Sequence, residues 1–376
     1  MYVSIIMETL YFAKISQPKL GLCNQIMNLI SSIIVARNEK KKIVVVENFS
    51  IDSYKEDLCL LSSVLDLEKL NNFLYNKYNI KIYDRDLMNI TLHSVYYGIP
   101  YREKNVTKEV LDIFCIEENI INIETEDFLN PIIGDPFIGV TKRLSFKYTI
   151  SHKSDVEIFT TNIEEFAGYL KEPITLDFNI VKNSEYIYNS FKSTELDEAG
   201  KKMFDNILNN ILFTENFYNV PNILLKDIDT NEKVNVIHLR LEEEASERWC
   251  NDDNKSQYIE KLEKKYIGLI EKHFDKSEQT IVLSYSTSNS VIDFLTNNDY
   301  KFIINEKQYE LGSNVNAVFD FLCGTICNNV FIGNYNLEKN TGSLFSYFLS
   351  KRINKPITKV LIDLEDLDNE ASVFTP

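Results

Sequence analysis

The sequence predicts an α/β protein whose chain forms two domains, each built around a doubly wound parallel sheet. Three observations predict this class. The 376 residues are 44% hydrophobic, which is enough apolar material for two buried cores. Strand and helix patterns alternate at both ends of the chain, as they do in proteins with parallel sheets. Between these regions, Pro221 and the polar stretch 227–233 indicate a linker near residues 218–232.

The first alternating region is a βαβ unit. A predicted strand over residues 9–15 is followed by a loop and by apolar residues that recur at helical spacing from Ile26 onward. The second strand contains the continuous apolar run Ile43–Val46, which is typical of a central parallel strand buried on both faces. Residues 50–217 mix short helical pieces with aromatic strand-like pieces, and their strand order is not predicted.

The second alternating region is longer and more regular. Its predicted strands are 234–239, 280–286, 301–305 and 329–333, and its predicted helices are 257–274, 289–298, 314–328 and 343–353. This alternation predicts a parallel sheet with ligands bound at the C-terminal ends of its strands. The acidic tail, 363–376, is expected to be frayed.

Composition excludes several classes of partner. The formal net charge of −16 excludes a nucleic-acid or anionic-membrane surface, because both need clustered Lys and Arg. A small anionic ligand remains compatible, since local cations and helix-start amides can hold it. The sequence shows no signal-peptide pattern and no apolar run of membrane-spanning length, so we expect a cytoplasmic protein without a membrane span. The six cysteines are scattered, so we expect free thiols and no metal site.

Three segments carry the chemistry, and the first is KLGLCNQ, Lys19–Gln25. It stands between a predicted strand and a predicted helix. Gly21 lets a ligand approach the backbone closely, and the helix start then offers free amides to a pyrophosphate.

The second segment is VIHLRLEEE, Val236–Glu244. Its buried strand ends where His238 and Arg240 emerge. The guanidinium of Arg240 can bind a diphosphate through a bidentate fork, which a lysine cannot match. The alternative is a strand-end arginine that forms a salt bridge with Glu242 or Glu244.

The third segment is VFDFLCGTICNNVFIGNYNLEKNTGSLFSYFLSKR, Val318–Arg352. Its pattern predicts a helix, a strand, a turn rich in small residues and a second helix. Asp320 lies in the apolar first helix, where it either forms a salt bridge or binds the N1 and exocyclic amine of a purine. In this order, the three segments resemble motifs of the GDP-fucose protein O-fucosyltransferase superfamily, including its plant-type O-fucosyltransferase and rhamnosyltransferase branch.

The resemblance implies a GT-B type fold with two Rossmann-like domains that face a cleft. It assigns residues 1–225 to an N-terminal, acceptor-side domain. Residues 226–376 would form the C-terminal domain that binds the nucleotide sugar.

The resemblance also implies roles for individual residues. The implied donor-binding residues are Gly21, Asn24, His238, Asp320, Thr341, Ser343 and Phe345. For Asn24 the alternative is the N-cap of the first helix. Arg240 would stabilise the charge of the leaving group. Glu242 would be the catalytic base, with Glu243, Glu244 or no base at all as the alternatives.

The implied activity is an inverting, metal-independent transfer of a 6-deoxyhexose to a hydroxyl of a glycan or protein. L-Fucose from GDP-fucose is the first expectation. The implied partners are therefore a nucleotide sugar and an acceptor, with no cofactor. Two alternatives stay open: a rhamnosyltransferase that uses UDP- or GDP-rhamnose, and a non-catalytic sugar-binding protein of the same fold.

Two further signals have ordinary explanations. Asp252 and Asp253 suggest the metal-binding DxD motif of other glycosyltransferases, but they are adjacent, and we expect solvated acids at a helix start. Trp249, the only tryptophan, either stacks on an acceptor sugar or packs in the core.

Overall fold

The computed structural model describes most of the chain: residues 3–4, 9–55, 57–117, 120–124, 127, 129–134, 140–153, 155–166, 169–170, 174–177, 185–190, 195–219, 221, 225–242, 247–250, 254–304, 312–353 and 355–375. Its helices are α1 (Leu22–Asn38), α2 (Leu61–Val64), α3 (Leu67–Tyr78), α4 (Thr107–Phe114), α5 (Leu129–Ile133), α6 (Glu198–Asn210), α7 (Lys255–His273), α8 (Ser290–Asn297), α9 (Ser313–Gly324) and α10 (Leu344–Arg352).

The strands are β1 (Val3–Ser4), β2 (Leu10–Lys14), β3 (Ile43–Val46), β4 (Phe49–Ser50), β5 (Leu58–Cys59), β6 (Lys81–Asp84), β7 (Met88–Ile99), β8 (Arg102–Asn105), β9 (Cys115–Glu117), β10 (Ile120–Ile123), β11 (Arg143–His152), β12 (Asp155–Phe166), β13 (Tyr169–Leu170), β14 (Ile174–Asp177), β15 (Ile187–Tyr188), β16 (Val234–His238), β17 (Gln279–Leu283), β18 (Phe302–Ile304), β19 (Val330–Asn336), β20 (Thr341–Gly342), β21 (Thr358–Ile362) and β22 (Ser372–Phe374). The chain divides into two compact units. Unit 1 comprises Met1–Ile15, Ser32–Asn48 and Asn71–Asn189, and unit 2 comprises Ser16–Ser31, Phe49–Leu70 and Ser190–Pro376.

Unit 1 contains the predicted parallel strands of the first βαβ unit. They belong to a four-stranded parallel sheet of order β15-β2-β3-β6. All four residues of β3 are buried, as the continuous apolar run Ile43–Val46 predicts for a central strand.

Much of unit 1 is antiparallel, which the prediction of a doubly wound domain did not include. One sheet has the order β13-β12-β11-β7-β8, with every pairing antiparallel. Another has the order β1-β14-β10-β9. From Phe146 onward, buried residues alternate with less buried ones along β11, because one face of such a sheet packs on the core while the other is nearer to solvent. The N-terminal half is therefore a mixed α/β structure.

Unit 2 is organised by the sheet predicted for the second alternating region. Its strands run in the order β18-β17-β16-β19-β21, all parallel, and β22 adds an antiparallel edge. Numbered along the chain, the parallel strands have the order 3-2-1-4-5 of a doubly wound sheet. The prediction of alternating strands and helices is confirmed here. The expectation of a frayed tail is wrong for Ser372–Phe374, because this segment pairs with β21.

The core of unit 2 explains the spacing of apolar residues that predicted α7. Leu262, Tyr266 and Ile270 are fully buried and recur every four residues, so they form one stripe along the helix. They pack in one cluster with strand residues such as Ile237 and Val282.

Unit 2 also contains segments that the sequence assigned to the N-terminal domain. Residues 16–31 and 49–70 belong to it, and so does everything from Ser190 onward. The predicted linker lies within unit 2, where the side-chain amide of Asn328 donates to the carbonyl oxygens of Thr230 and Glu232 at 3.0 and 2.8 Å. Among the helices given above, none combines the length and apolar character needed to cross a membrane.

Candidate functional site

A cavity of about 510 Å³ opens in unit 2 beside the C-terminal ends of β16 and β17. All of its lining residues belong to unit 2. The strand order of the sheet reverses between β16 and β19, and crevices at such switch points are where doubly wound sheets bind ligands. Eight of the nine predicted site residues line this cavity: Gly21, Asn24, His238, Arg240, Glu242, Asp320, Ser343 and Phe345. The structure therefore brings all three sequence segments together.

The first segment meets the cavity at the start of α1. The backbone amides of Asn24 and Gln25 donate to the carbonyl oxygen of Gly21, so Gly21 and not Asn24 caps the helix. The N-cap alternative for Asn24 is wrong, because Asn24 is the third residue of α1 and lies within its first turn. A Cβ added to Gly21 would meet only Asn314 Oδ1, at 4.0 Å. The backbone therefore presents an open face to the cavity, as the glycine predicts.

Asn314, on α9, connects α9 to the first segment through hydrogen bonds. Its side-chain amide donates to the carbonyl oxygen of Ser50 at 2.8 Å and of Leu20 at 3.3 Å. Its Oδ1 accepts from the hydroxyl of Ser53 at 3.2 Å. Asn314 is 1% exposed, so losing these bonds would leave buried polar groups unsatisfied. Sequence reasoning missed both Asn314 and Ser53.

Gly312 allows the start of α9 to approach the backbone of Ile51 closely. Its φ of 84° lies in the left-handed region, and an added Cβ would stand 2.5 Å from the carbonyl oxygen of Ile51. Only glycine fits such a conformation at so close an approach. A Gly-Ser-Asn sequence before an apolar helix is a start signal that could have pointed to this part of the site.

A buried hydrogen-bond network fixes the end of β16. The Tyr266 hydroxyl accepts the backbone N–H of Arg240 at 3.1 Å and bonds to the side-chain oxygen of Asn334. Asn334 in turn donates to the carbonyl oxygen of His238 at 2.9 Å. Burial raises the pKa of Tyr266, so its hydroxyl keeps the proton that it donates. The fully buried side chains of Tyr266 and Asn334 therefore fix the backbone of His238 and Arg240 through hydrogen bonds.

His238 itself is buried and lines the cavity. Its Nδ1 lies 2.7 Å from Ser346 Oγ, which also accepts the backbone N–H of Asn334 at 2.9 Å. The imidazole packs on the ring of Phe345, with ring centroids 4.6 Å apart. These contacts hold the histidine in one orientation.

Arg240 and Glu242 emerge from the same strand end and approach each other. Arg240 Nε lies 3.5 Å from Glu242 Oε2, so the predicted alternative of a strand-end ion pair is present. Both atoms are buried, yet neither makes a hydrogen bond. The guanidinium carbon of Arg240 also stands 5.7 Å from the ring of Trp249, and that of Arg248 stands 5.4 Å from it. Trp249 is 7% exposed and belongs to the core cluster, so it packs while also lining the cavity.

The third segment supplies the opposite wall. Asp320 is buried on α9, and the ring of Phe345 packs edge-on against Phe321 at 5.8 Å. Ser343 is the N-cap of α10 and accepts the backbone N–H of Ser346 at 3.5 Å. Ser343 therefore has a structural function as well as a place on the cavity.

Thr341 is the one predicted site residue that does not line the cavity. It pairs with Asn336 in the short antiparallel turn between β19 and β20. The next residue, Gly342, lines the cavity instead. Its φ is 124°, and a Cβ added to it would stand 2.8 Å from the carbonyl oxygen of Asn334.

Three helices begin at this cavity. Leu22 of α1, Ser313 of α9 and Leu344 of α10 all line it. The first amides of a helix have no acceptor within the helix, and the helix dipole adds a partial positive charge there. Helix N-termini favour an anionic ligand, and three carboxylates, those of Asp52, Glu242 and Asp320, line the same cavity.

Other lining residues were missed by sequence reasoning. Ser284 and Tyr285 follow β17 directly, so the rule that functional residues follow parallel strands could have identified them. Arg248 and Asp52 had no such signal. Cys23 also lines the cavity, but burial raises the pKa of its thiol, which disfavours the thiolate form.

Within the described part of the chain, no group of three or more His, Cys, Asp or Glu residues could hold a metal ion. The predictions for Glu243, Glu244, Asp252 and Asp253 lie outside the described residues.

No known family model matches the sequence, and no curated protein matches it. Among solved structures, POFUT1 in complex with GDP is similar, with a TM-score of 0.46, 10% identity, and coverage of 92% of this chain and 94% of that one. The fucosyltransferase NodZ from Bradyrhizobium has a TM-score of 0.46 and 10% identity, with coverage of 97% and 99%. NodZ α-1,6-fucosyltransferase soaked with GDP-fucose has a TM-score of 0.34 and 13% identity over 48% of this chain and 54% of that one, so the match spans about half of that structure.

At identities of 13% and below, these similarities concern the fold alone. The solved structures to which this chain is similar thus include a fucosyltransferase and a protein in complex with GDP.

Proposed function

We propose that this chain is a glycosyltransferase that transfers a 6-deoxyhexose, L-fucose from GDP-fucose, to a hydroxyl of a glycan or protein. One observation carries the proposal. Three helix N-termini and the guanidinium of Arg240 meet in a single cavity at the switch point of a doubly wound sheet. The GT-B arrangement of two Rossmann-like domains, with an acceptor-side domain at 1–225, stays a prediction, as does a cytoplasmic location.

The helix N-termini and the arginines of the cavity fit a diphosphate. Helix-start amides donate to phosphate oxygens, and Arg240 can add a bidentate contact. The buried Arg240 Nε makes no hydrogen bond, so it has a donor to offer. A nucleoside diphosphate is the natural ligand of such a combination in an otherwise acidic protein.

The base of the nucleotide is assigned to the opposite wall. Asp320 and Phe345 both line the cavity there. A carboxylate can accept from the N1–H and the exocyclic amine of guanine, and an aromatic ring offers a stacking surface. These two residues support GDP over UDP, because uracil has no exocyclic amine.

In the proposed reaction, an acceptor hydroxyl oxygen attacks the anomeric carbon as the bond from that carbon to the β-phosphate oxygen breaks. Attack from the face opposite the leaving group inverts the configuration. Negative charge then grows on the β-phosphate, where Arg240 and the helix ends would stabilise it without a divalent metal. The hydroxyl proton would pass to Glu242, whose Oε2 makes no hydrogen bond.

The only tryptophan of the chain lines the cavity, so its fluorescence can report binding directly. We expect GDP and GDP-fucose to change the emission of Trp249 in a saturable way, and UDP sugars to bind more weakly. At a hundredfold excess over Kd, a ligand specific for the folded state adds about 2.7 kcal/mol of stability, so the melting temperature should rise as well.

The outcomes separate the alternatives. Preferential binding of UDP-rhamnose or GDP-rhamnose would favour a rhamnosyltransferase. Binding without release of GDP in the presence of glycan and protein acceptors would favour a non-catalytic sugar-binding protein. If no nucleoside diphosphate changes either the fluorescence or the melting temperature, the proposal is wrong.

A further inference from the structure

Trp249 holds two guanidiniums at the cavity. The guanidinium carbons of Arg240 and Arg248 stand 5.7 and 5.4 Å from its ring centroid, within the range of a cation–π contact. The two positive groups are therefore at most the sum of these distances apart. Both arginines line the cavity, and the ring that they contact is buried.

The charges of the two arginines are compensated differently. Arg240 has a carboxylate partner, Glu242, at 3.5 Å. Arg248 is exposed, and among the described residues it forms no ion pair. Its acidic neighbour in the sequence, Glu247, is engaged by Lys255 at 2.8 Å. Among the described residues, the two guanidiniums on this ring have one carboxylate partner between them, which leaves Arg248 able to bind an anion.

We infer that Arg248 is a specificity residue that distinguishes nucleoside diphosphates from nucleoside monophosphates. This inference rests on the proposed function, since it concerns the ligand of the same cavity. A diphosphate has two phosphate groups joined through one oxygen, so it can engage two neighbouring guanidiniums at once. A monophosphate engages only one of them.

Trp249 is then a positioning residue. An arginine side chain has several rotatable bonds, and fixing it in one place costs conformational entropy. Stacking on a buried ring reduces that cost before the ligand arrives. The same ring contacts both arginines, so one side chain limits how far apart the two guanidiniums can lie.

The test compares GDP with GMP in wild type and in Arg248→Gln, with Trp249 fluorescence as the readout and equal ionic strength throughout. We expect Kd for GDP to rise on the order of tenfold, the equivalent of one charge-assisted hydrogen bond, while Kd for GMP stays unchanged. Arg102→Gln is the matched control, because Arg102 is exposed outside the cavity and the change in net charge is the same. It should leave both constants unchanged.

Two further variants test the positioning by calorimetry, which needs no tryptophan. Trp249→Phe keeps an aromatic ring and should keep the ratio of GDP to GMP affinity, whereas Trp249→Leu should lower it. Melting temperatures show whether each variant is folded.

Each outcome is decisive. A GDP to GMP ratio in Arg248→Gln equal to that of wild type overturns the inference while the proposed function stands. An equal loss in Arg102→Gln also overturns it, because bulk charge then explains the effect. If wild type binds neither nucleotide, the inference and the proposed function both fail.

Discussion

Arg240 Nε lies 3.5 Å from Glu242 Oε2, so the predicted leaving-group stabiliser and the predicted base are partners in this structure. In the proposed reaction this pair would have two roles. The carboxylate would orient the guanidinium, and a phosphate bound to the arginine would release the carboxylate to accept a proton. The first two predictions separate the contributions of these two residues.

Arg240→Lys should lower turnover by roughly 100-fold to 1,000-fold, because lysine keeps the charge but cannot make the bidentate contact to a phosphate. Turnover and melting temperature are measured together. Arg143→Lys is the control. Arg143 Nε forms an ion pair with Glu103 Oε1, with 2.7 Å between the two atoms, and neither residue lines the cavity. A fully active, normally folded Arg240→Lys would show that Arg240 is only a structural partner of Glu242, with about 0 to 1 kcal/mol of stability at stake.

Glu242→Gln should lower kcat by at least about 100-fold if the carboxylate takes the proton, because glutamine cannot act as a base. Donor affinity, read from Trp249 fluorescence, should change little. Glu247→Gln makes the same chemical change nearby, on a residue that does not line the cavity. Should Glu242→Gln weaken donor binding and spare kcat, the role of Glu242 is to orient Arg240.

Turnover should be the same in EDTA as in its absence, since the proposal assigns the leaving-group charge to Arg240 and the helix ends. The measurement is GDP release with EDTA, and again after addition of Mn²⁺. Complete loss in EDTA that Mn²⁺ restores would overturn the metal-independent mechanism.

Gly312→Ala should destabilise the protein by about 1 to 3 kcal/mol, because alanine is strained at a φ of 84° and its Cβ would meet the carbonyl oxygen of Ile51 at 2.5 Å. The melting temperature should fall by several degrees, and GDP should bind more weakly because α9 begins at this cavity.

The control for this prediction has the opposite expected sign. Gly268 lies inside α7, and an added Cβ would meet no atom within 4 Å beyond its chain neighbours and the backbone of its own helix, so Gly268→Ala should stabilise by about 1 kcal/mol. If both substitutions raise the melting temperature, the close approach at Gly312 is not a constraint.

The sequence alone was sufficient for the parallel sheet of unit 2 and for the strand ends that carry the site. Hydrophobic periodicity is a local property, so β16, α7 and β17 could be read from their own residues. The same holds for Arg240, because a residue that follows a buried parallel strand must appear at the ligand-binding edge. The resemblance of the segment Val236–Glu244 to a family motif added the expectation that Arg240 binds a phosphate.

The tertiary structure decided which distant segments share the cavity. Asn314 bonds to the Ser50 carbonyl oxygen across 264 residues of sequence, and no local pattern encodes such a pairing. The same is true of Arg248, which gains its place only because Trp249 is buried beside Arg240.

The antiparallel sheet formed by β7, β8, β11, β12 and β13 was likewise beyond local inference. Its pairing depends on which strand faces which, and that choice is made by side chains that meet only after the chain has folded. Local periodicity therefore determined the elements of the first βαβ unit and of the C-terminal half, whereas long-range packing decided the strand pairing, the membership of the two units and the full set of residues around the cavity.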